Sequence, residues 1–270
     1  MRGQQGANER EVPPWVEAPP CAAIAGVTAV PVLAHEIIER PGPQAALLVL
    51  LHGYGEPASD LADRLHLIDP DGRFLAVVPE APFERSGRAI WHRALSARDE
   101  AEVQFRASTA ALDALLGDLE AETGRPAGEA VVGGFSQGGG LALGLLLGAD
   151  VRHRPRAGFG VCSFPPPVRG FRVDRQAAAG LPYFLSSARQ DHFAPIESSR
   201  AGAVLLRDTG LDLTYTESDG AHEMTDAAAR AVGAWIADLD AGIRTAAGED
   251  HLAGVSARSD LYDALWDHVT

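Results

Sequence analysis

The sequence predicts an α/β fold with a mostly parallel central sheet, helices on both of its faces, and no large separate cap domain. Three observations lead there. From Val27 onward, short apolar runs alternate with longer stretches of helical period, and strands apolar on both faces belong to parallel sheets covered by helices. The chain has 270 residues, 46% hydrophobic and 22% charged, enough to bury one substantial core. No segment repeats along the chain, so the alternation describes one layered domain and not a solenoid.

Taken in order, residues 1–26 are rich in Gly, Gln and Pro without a sustained period and read as an N-terminal arm, with Trp15 and Val16 able to dock on the body. Residues 27–243 are expected to form the single α/β domain. Val27 to Glu39 reads as one or two edge strands, and the turn Arg40-Pro41-Gly42-Pro43 leads into Ala46 to Leu51, apolar on both faces as a central strand must be. Further buried strands are expected at Phe74 to Val78, Glu129 to Val132, Ala157 to Cys162, Pro182 to Ser186 and Leu211 to Glu217. Leu112, Leu115, Leu116 and Leu119 make one helical stripe, and Val232, Trp235, Ile236 and Leu239 another. Residues 244–270 form a C-terminal extension. There Leu261, Tyr262, Leu265 and Trp266 give one face of a short helix capped by Ser259. A helix packed on the surface is the plain reading; a homodimer contact or an active-site flap is the alternative.

Charge and cysteine content narrow the partners. Net charge is −14 and all 23 basic residues are Arg, scattered without a basic block. Such a surface repels a phosphate backbone, so no nucleic-acid partner is expected. No run approaches the roughly 20 apolar residues that cross a bilayer, and the polar start at Gln4, Gln5, Asn8, Glu9 and Arg10 is unlike a signal peptide. Two cysteines, Cys21 and Cys162, are too few for a disulfide scaffold and lack zinc-site spacing, which fits a cytoplasmic protein. Cys162 reads as a small buried hydrophobe.

The chemistry concentrates in Gly134-Phe135-Ser136-Gln137-Gly138, between a strand and an apolar helix that contains Leu141, Leu143, Leu145 and Leu146. A serine hydroxyl is a poor nucleophile unless held clear of the backbone beside a base, and a strand-to-helix elbow with small neighbours does this. The helix points its first N–H groups at the reacting oxygen, so the Gln137 amide is a candidate oxyanion donor. A Gly-rich turn that merely contains serine is the alternative. A second donor is expected from Leu51-His52-Gly53-Tyr54-Gly55, where the Tyr54 N–H faces the substrate and His52 braces the loop.

The base is sought in Ser218-Asp219-Gly220-Ala221-His222-Glu223 and the acid in Ser186-Ser187-Ala188-Arg189-Gln190-Asp191-His192. Ser136, Asp191 and His222 then each follow a strand, at the edge where open α/β sheets place their sites. His222 would take the Ser136 proton, and Asp191 would fix its tautomer. His192 is a poor rival because neighbours in sequence seldom face each other, while Glu217 and Asp219 are expected to be solvated.

These residues resemble the carboxylesterase/phospholipase family of α/β-hydrolases, which includes acyl-protein thioesterases and small bacterial esterases. The resemblance covers roughly Ala46 to Ile243. It rests on His52-Gly53-Tyr54-Gly55 with Asp60-Leu61, on Val78-Pro79-Glu80-Ala81-Pro82-Phe83, on Gly134 to Gly139, on Asp191 to Pro195, and on Gly220 to Glu223. Two departures stand out: Ser187-Ala188 replaces the family's His-Gly before the acid, and Glu56 follows the oxyanion loop where Asp is usual. The resemblance implies hydrolysis of small-molecule esters through an acyl-serine, on a Ser-acid-His triad, with no metal or organic cofactor. Thioesterase or lysophospholipase activity is the near alternative, and a non-catalytic ligand-binding protein the alternative of another class. Trp91, Phe105, Phe164 and Phe171 are candidate substrate-site walls, Trp91 by its place in the resemblance, and Pro165-Pro166-Pro167 would stiffen the groove.

Overall fold

Leu47, Val49 and Leu51 belong to one buried cluster while Leu48 and Leu50 belong to another, so this single strand feeds two cores on opposite faces, as the period of two requires. The computed structural model describes residues 30–40, 44–93, 98–166, 168–243, 249–256 and 266–269. The N-terminal arm with Trp15 and Val16 lies outside them.

The described chain runs β1 (His35–Ile38), β2 (Ala46–Leu51), α1 (Ser59–Ala62), α2 (Leu65–Ile68) and β3 (Phe74–Pro79), then a hairpin of β4 (Phe83–Arg85) and β5 (Arg88–Ile90). The long α3 (Arg98–Thr123) leads through a short 3-10 turn to β6 (Val131–Phe135), α4 (Gln137–Leu147), β7 (Ala157–Val161), β8 (Phe171–Asp174) and α5 (Arg175–Ala178). Then follow β9 (Pro182–Ala188), α6 (Ile196–Asp208), β10 (Asp212–Ser218), α7 (Asp226–Asp240), α8 (Glu249–Leu252) and β11 (Trp266–Val269).

Seven strands form the main sheet in the order β1-β3-β2-β6-β7-β9-β10. Every pair is parallel except the edge pair β1–β3. The predicted mostly parallel sheet is therefore present, and the expected edge strand is the antiparallel one. The leucine stripe of α3, together with α4 and α6, packs on the face of Leu47 and Val49; α1, α2 and α7 pack on the face of Leu48 and Leu50. Thr225 caps α7 by accepting the Ala228 N–H at 3.1 Å, an arrangement worth about 1 kcal/mol.

Two local expectations change. The strand expected at Glu129 to Val132 begins at Val131 and continues through Gly133, Gly134 and Phe135, because the 3-10 turn takes Ala127–Glu129. Of the C-terminal stretch expected as a helix, Trp266–Val269 is a strand, parallel to β8; a β8 edge with unpaired backbone groups is a ready partner for an extended segment. Ser259, Leu261, Tyr262 and Leu265 lie outside the described residues.

Candidate active site

Between β6 and α4 the backbone turns within one residue. Ser136 takes φ 51° and ψ −114°, a left-handed conformation that costs a side-chain-bearing residue on the order of 1–3 kcal/mol. Its N–H donates to the Val161 carbonyl at 2.9 Å, and its carbonyl accepts the Gly140 N–H at 3.2 Å. Glycine is required on both sides: a Cβ on Gly134 or Gly138 would lie 1.9 or 2.0 Å from the Leu51 carbonyl oxygen. The elbow thus presses directly on the end of β2, where the next loop begins.

Three side chains from three strand ends meet there. The His222 Nε2 lies 2.9 Å from the Ser136 Oγ, and its Nδ1 lies 2.7 Å from the Asp191 Oδ2. The other carboxylate oxygen of Asp191 accepts the Phe193 and Ala194 N–H groups, each at 2.8 Å. Burial alone would raise the Asp191 pKa; the His222 hydrogen bond and these two amides outweigh it and hold the carboxyl below its ordinary value. The acid therefore stays ionised and accepting, which leaves the Nδ1 proton on His222 and its Nε2 free to accept from serine. The His222 ring is flanked by Phe135 at 4.8 Å and Phe193 at 5.1 Å.

The loop after β2 is held by its own histidine. His52 Nε2 accepts the Ala81 N–H at 3.1 Å, so Nδ1 carries the proton and donates to the Gly53 carbonyl at 2.8 Å. Burial lowers the His52 pKa and keeps this neutral form. The Gly53 N–H goes to Glu56 Oε2 at 3.0 Å and the Gly55 N–H to the Ala89 carbonyl at 3.0 Å. Among the described residues no acceptor takes the Tyr54 N–H between them. Gln137, as the first residue of α4, has no carbonyl a turn below to receive its N–H. Its side chain turns away, accepting the Trp91 N–H at 3.3 Å and donating to the His92 carbonyl at 2.9 Å.

The aromatic candidates divide. Trp91 is fully buried, with its indole N–H on the His52 carbonyl at 2.9 Å; it supports the loop from behind and does not line a groove. Phe105 and Phe171 are also buried and meet edge to face at 6.1 Å, as packed rings do. Phe164 is half-buried in the segment after β7, and of the proline run Pro167 lies outside the described residues. Phe193, which the sequence reasoning passed over, is 75% exposed and stands against His222. Its signal was position alone, two residues beyond the acid.

Two further groups complete the surroundings. Cys162, Asp191 and His222 place donor atoms within 4.8 Å of one another, yet Asp191 and His222 are engaged with each other and burial pushes the Cys162 thiol up to about 12. That set suits proton transfer better than an ion. Glu56, at the expected departure from the family pattern, lines a cavity of about 160 Å³ with Asp60, Arg64, His222 and Glu223. Glu217, expected to be solvated, has a fully buried side chain, whereas Asp219 is 79% exposed.

A parallel α/β sheet carrying a hydrogen-bonded Ser, His and Asp at the ends of its strands defines an α/β-hydrolase of the serine type. The chain belongs to the phospholipase/carboxylesterase family, whose model matches residues 33–238. It is a hydrolase of carboxylic esters. Among solved structures it is similar to the carboxylesterase of Bacillus cereus, with TM-score 0.68 and 19% identity over 76% of this chain and 94% of that one. It is also similar to esterase PE8, with TM-score 0.63 and 23% identity over 77% and 99%. Acyl-protein thioesterase 2 of Zea mays follows with TM-score 0.61 and 19% identity over 76% and 97%. No curated protein sequence matches the chain. Among the described residues no helix is long and apolar enough to cross a membrane.

Proposed function

We propose that Ser136 is the nucleophile, His222 its general base, Asp191 the acid that orients His222, and the Tyr54 and Gln137 N–H groups the oxyanion hole. The observation that carries this is the unbroken chain from Ser136 through His222 to Asp191, at 2.9 and 2.7 Å. As Oγ attacks the ester carbon, its proton passes to His222 Nε2 and the carbonyl oxygen becomes an oxyanion facing the two N–H groups. Collapse breaks the bond to the alcohol oxygen, which takes the proton from His222 and leaves. Water then attacks the acyl-serine, His222 again accepting and returning a proton, and releases the acid. The cycle closes with the groups named and water.

The preferred substrate class is a neutral oxyester with a small or medium acyl group, in keeping with the net charge of −14; Phe164 and Phe193 are the apolar side chains offered to it. The likeness to a thioesterase favours one second reading, thioester hydrolysis on the same triad. Matched oxyester, thioester and lysolipid substrates separate the readings, and a strong preference for thioesters overturns the first. A purely ligand-binding protein would have no need of an assembled triad. A fluorophosphonate probe is expected to label Ser136 in the folded protein, and failure to label would sink the enzymatic assignment. We assign the enzyme to the cytoplasm on its low cysteine content; fractionation of cells expressing the full chain tests this.

A further inference from the structure

We propose that Glu217 is a positioning residue for the Asp191–His222 pair, and that the C-terminal helix α8 acts on that pair through His251. This rests on the triad assigned above.

The strands β9 and β10 run out together, with Ser187 opposite Glu217 and Ala188 opposite Ser218. Beyond the ladder the pairing continues: the Arg189 N–H donates to the Ser218 carbonyl and the Gln190 N–H to the Gly220 carbonyl, both at 2.9 Å. One residue after Gln190 stands Asp191; two after Gly220 stands His222. Whatever fixes these two strand ends therefore fixes the distance between acid and base.

Side chains lock the same place. The Glu217 carboxylate, fully buried, accepts from Arg200 Nε at 2.6 Å and Nη2 at 2.9 Å, from Arg189 Nε at 3.2 Å, and from the Tyr215 hydroxyl at 3.2 Å. Arg189 also reaches Asp219 at 2.8 Å, so its guanidinium spans the roots of the acid loop and the histidine loop. Arg200 lies on α6, which the acid loop enters. A buried carboxylate adds little net stability even when well paired, and such groups are best attested as devices that fix one geometry. This one sits at the root of the two loops that carry Asp191 and His222.

The C-terminal extension joins the cluster. The His251 Nδ1 lies 3.7 Å from Glu217 Oε2, its ring meets Tyr215 edge-on at 6.4 Å, and the neighbouring Leu252 is buried in the core. The family match ends at residue 238, so α8 is a segment from outside that match that reaches Glu217 at the root of the histidine loop.

The test measures kcat and KM for Glu217→Gln, Arg189→Gln, His251→Ala, the Glu217/His251 double variant and Asp191→Asn, with rates expressed per active site titrated by fluorophosphonate. Misplacing reacting groups by about 1 Å can cost on the order of a hundredfold in rate, and a smaller shift costs less. Glu217→Gln is thus expected to lose about tenfold in kcat with KM within about twofold. His251→Ala should lose less, and the double variant no more than Glu217→Gln alone, because both act through one carboxylate. If Glu217→Gln does not fold, Arg189→Gln, whose side chain is largely exposed, carries the same expectation. Unchanged kcat per titrated site in both Arg189→Gln and His251→Ala overturns the proposal. Near-normal turnover by Asp191→Asn would instead overturn the triad assignment itself.

Discussion

At Ser136 the chain accepts a left-handed backbone angle in order to hold one hydroxyl 2.9 Å from His222. Ser136→Ala removes that hydroxyl and nothing else, so turnover should fall to background while the melting temperature moves by no more than a degree or two, on the order of surface substitutions; calorimetry and an esterase assay check both. Asp191 supplies a pH prediction. Its folded pKa is depressed, so the stabilisation from its hydrogen bonds is present above the ordinary carboxylate value and is lost as pH falls through the lower folded value. Glu56 has the opposite sign, because loss of solvent raises it: its ionised form is disfavoured by folding, increasingly as pH rises. Glu56→Gln should therefore raise the melting temperature at neutral pH, with the gain vanishing in acid below the ordinary glutamate range. A lower melting temperature at pH 7 would contradict this. That Ser136, Asp191 and His222 would come together was legible because each follows a strand and their order is distinctive. Glu217 and Phe193 were not, since burial of a charge and exposure of a ring depend on what Arg189, Arg200 and His222 do across the fold.

Among the elements, the elbow and the first turn of α4 are the least tolerant. Gly138→Ala would set a Cβ 2.0 Å from the Leu51 carbonyl oxygen, a backbone clash no side-chain rotation relieves. A loss of about 3 kcal/mol or more is expected, read in urea denaturation, with esterase activity lost as the loop after β2 is displaced. The inner strands of the main sheet were readable from apolar runs, because a central parallel strand has no polar face to confuse it. The β4–β5 hairpin, β8 and β11 were not. They are three or four residues long, too short to show a period, and β11 exists only through pairing with β8 about 95 positions earlier. Trp91 was misplaced for a related reason. A large aromatic near a strand end fits a groove wall and a buried brace equally well until the indole N–H finds its acceptor.

For the whole molecule, the acidic surface predicts how substrates arrive. With a net charge of −14, an anionic ester is repelled and a neutral one is not. The kcat/KM for a monoester of a dicarboxylic acid should rise as salt increases from about 20 to about 200 mM, where the screening length shortens to roughly 7 Å. A neutral ester of the same length should change little. Equal salt dependence would show that surface charge has no part in encounter. The two-faced core also explains why Ser136 has so little freedom. All eleven residues of α4 are buried, and the helix is wedged between the sheet and α3. Variation therefore has no purchase on the reacting oxygen through that helix. On the proposed assignment, a change in the esters accepted is made in exposed segments such as that of Phe193 beside His222, which can be rewritten while α4 beneath stays in place.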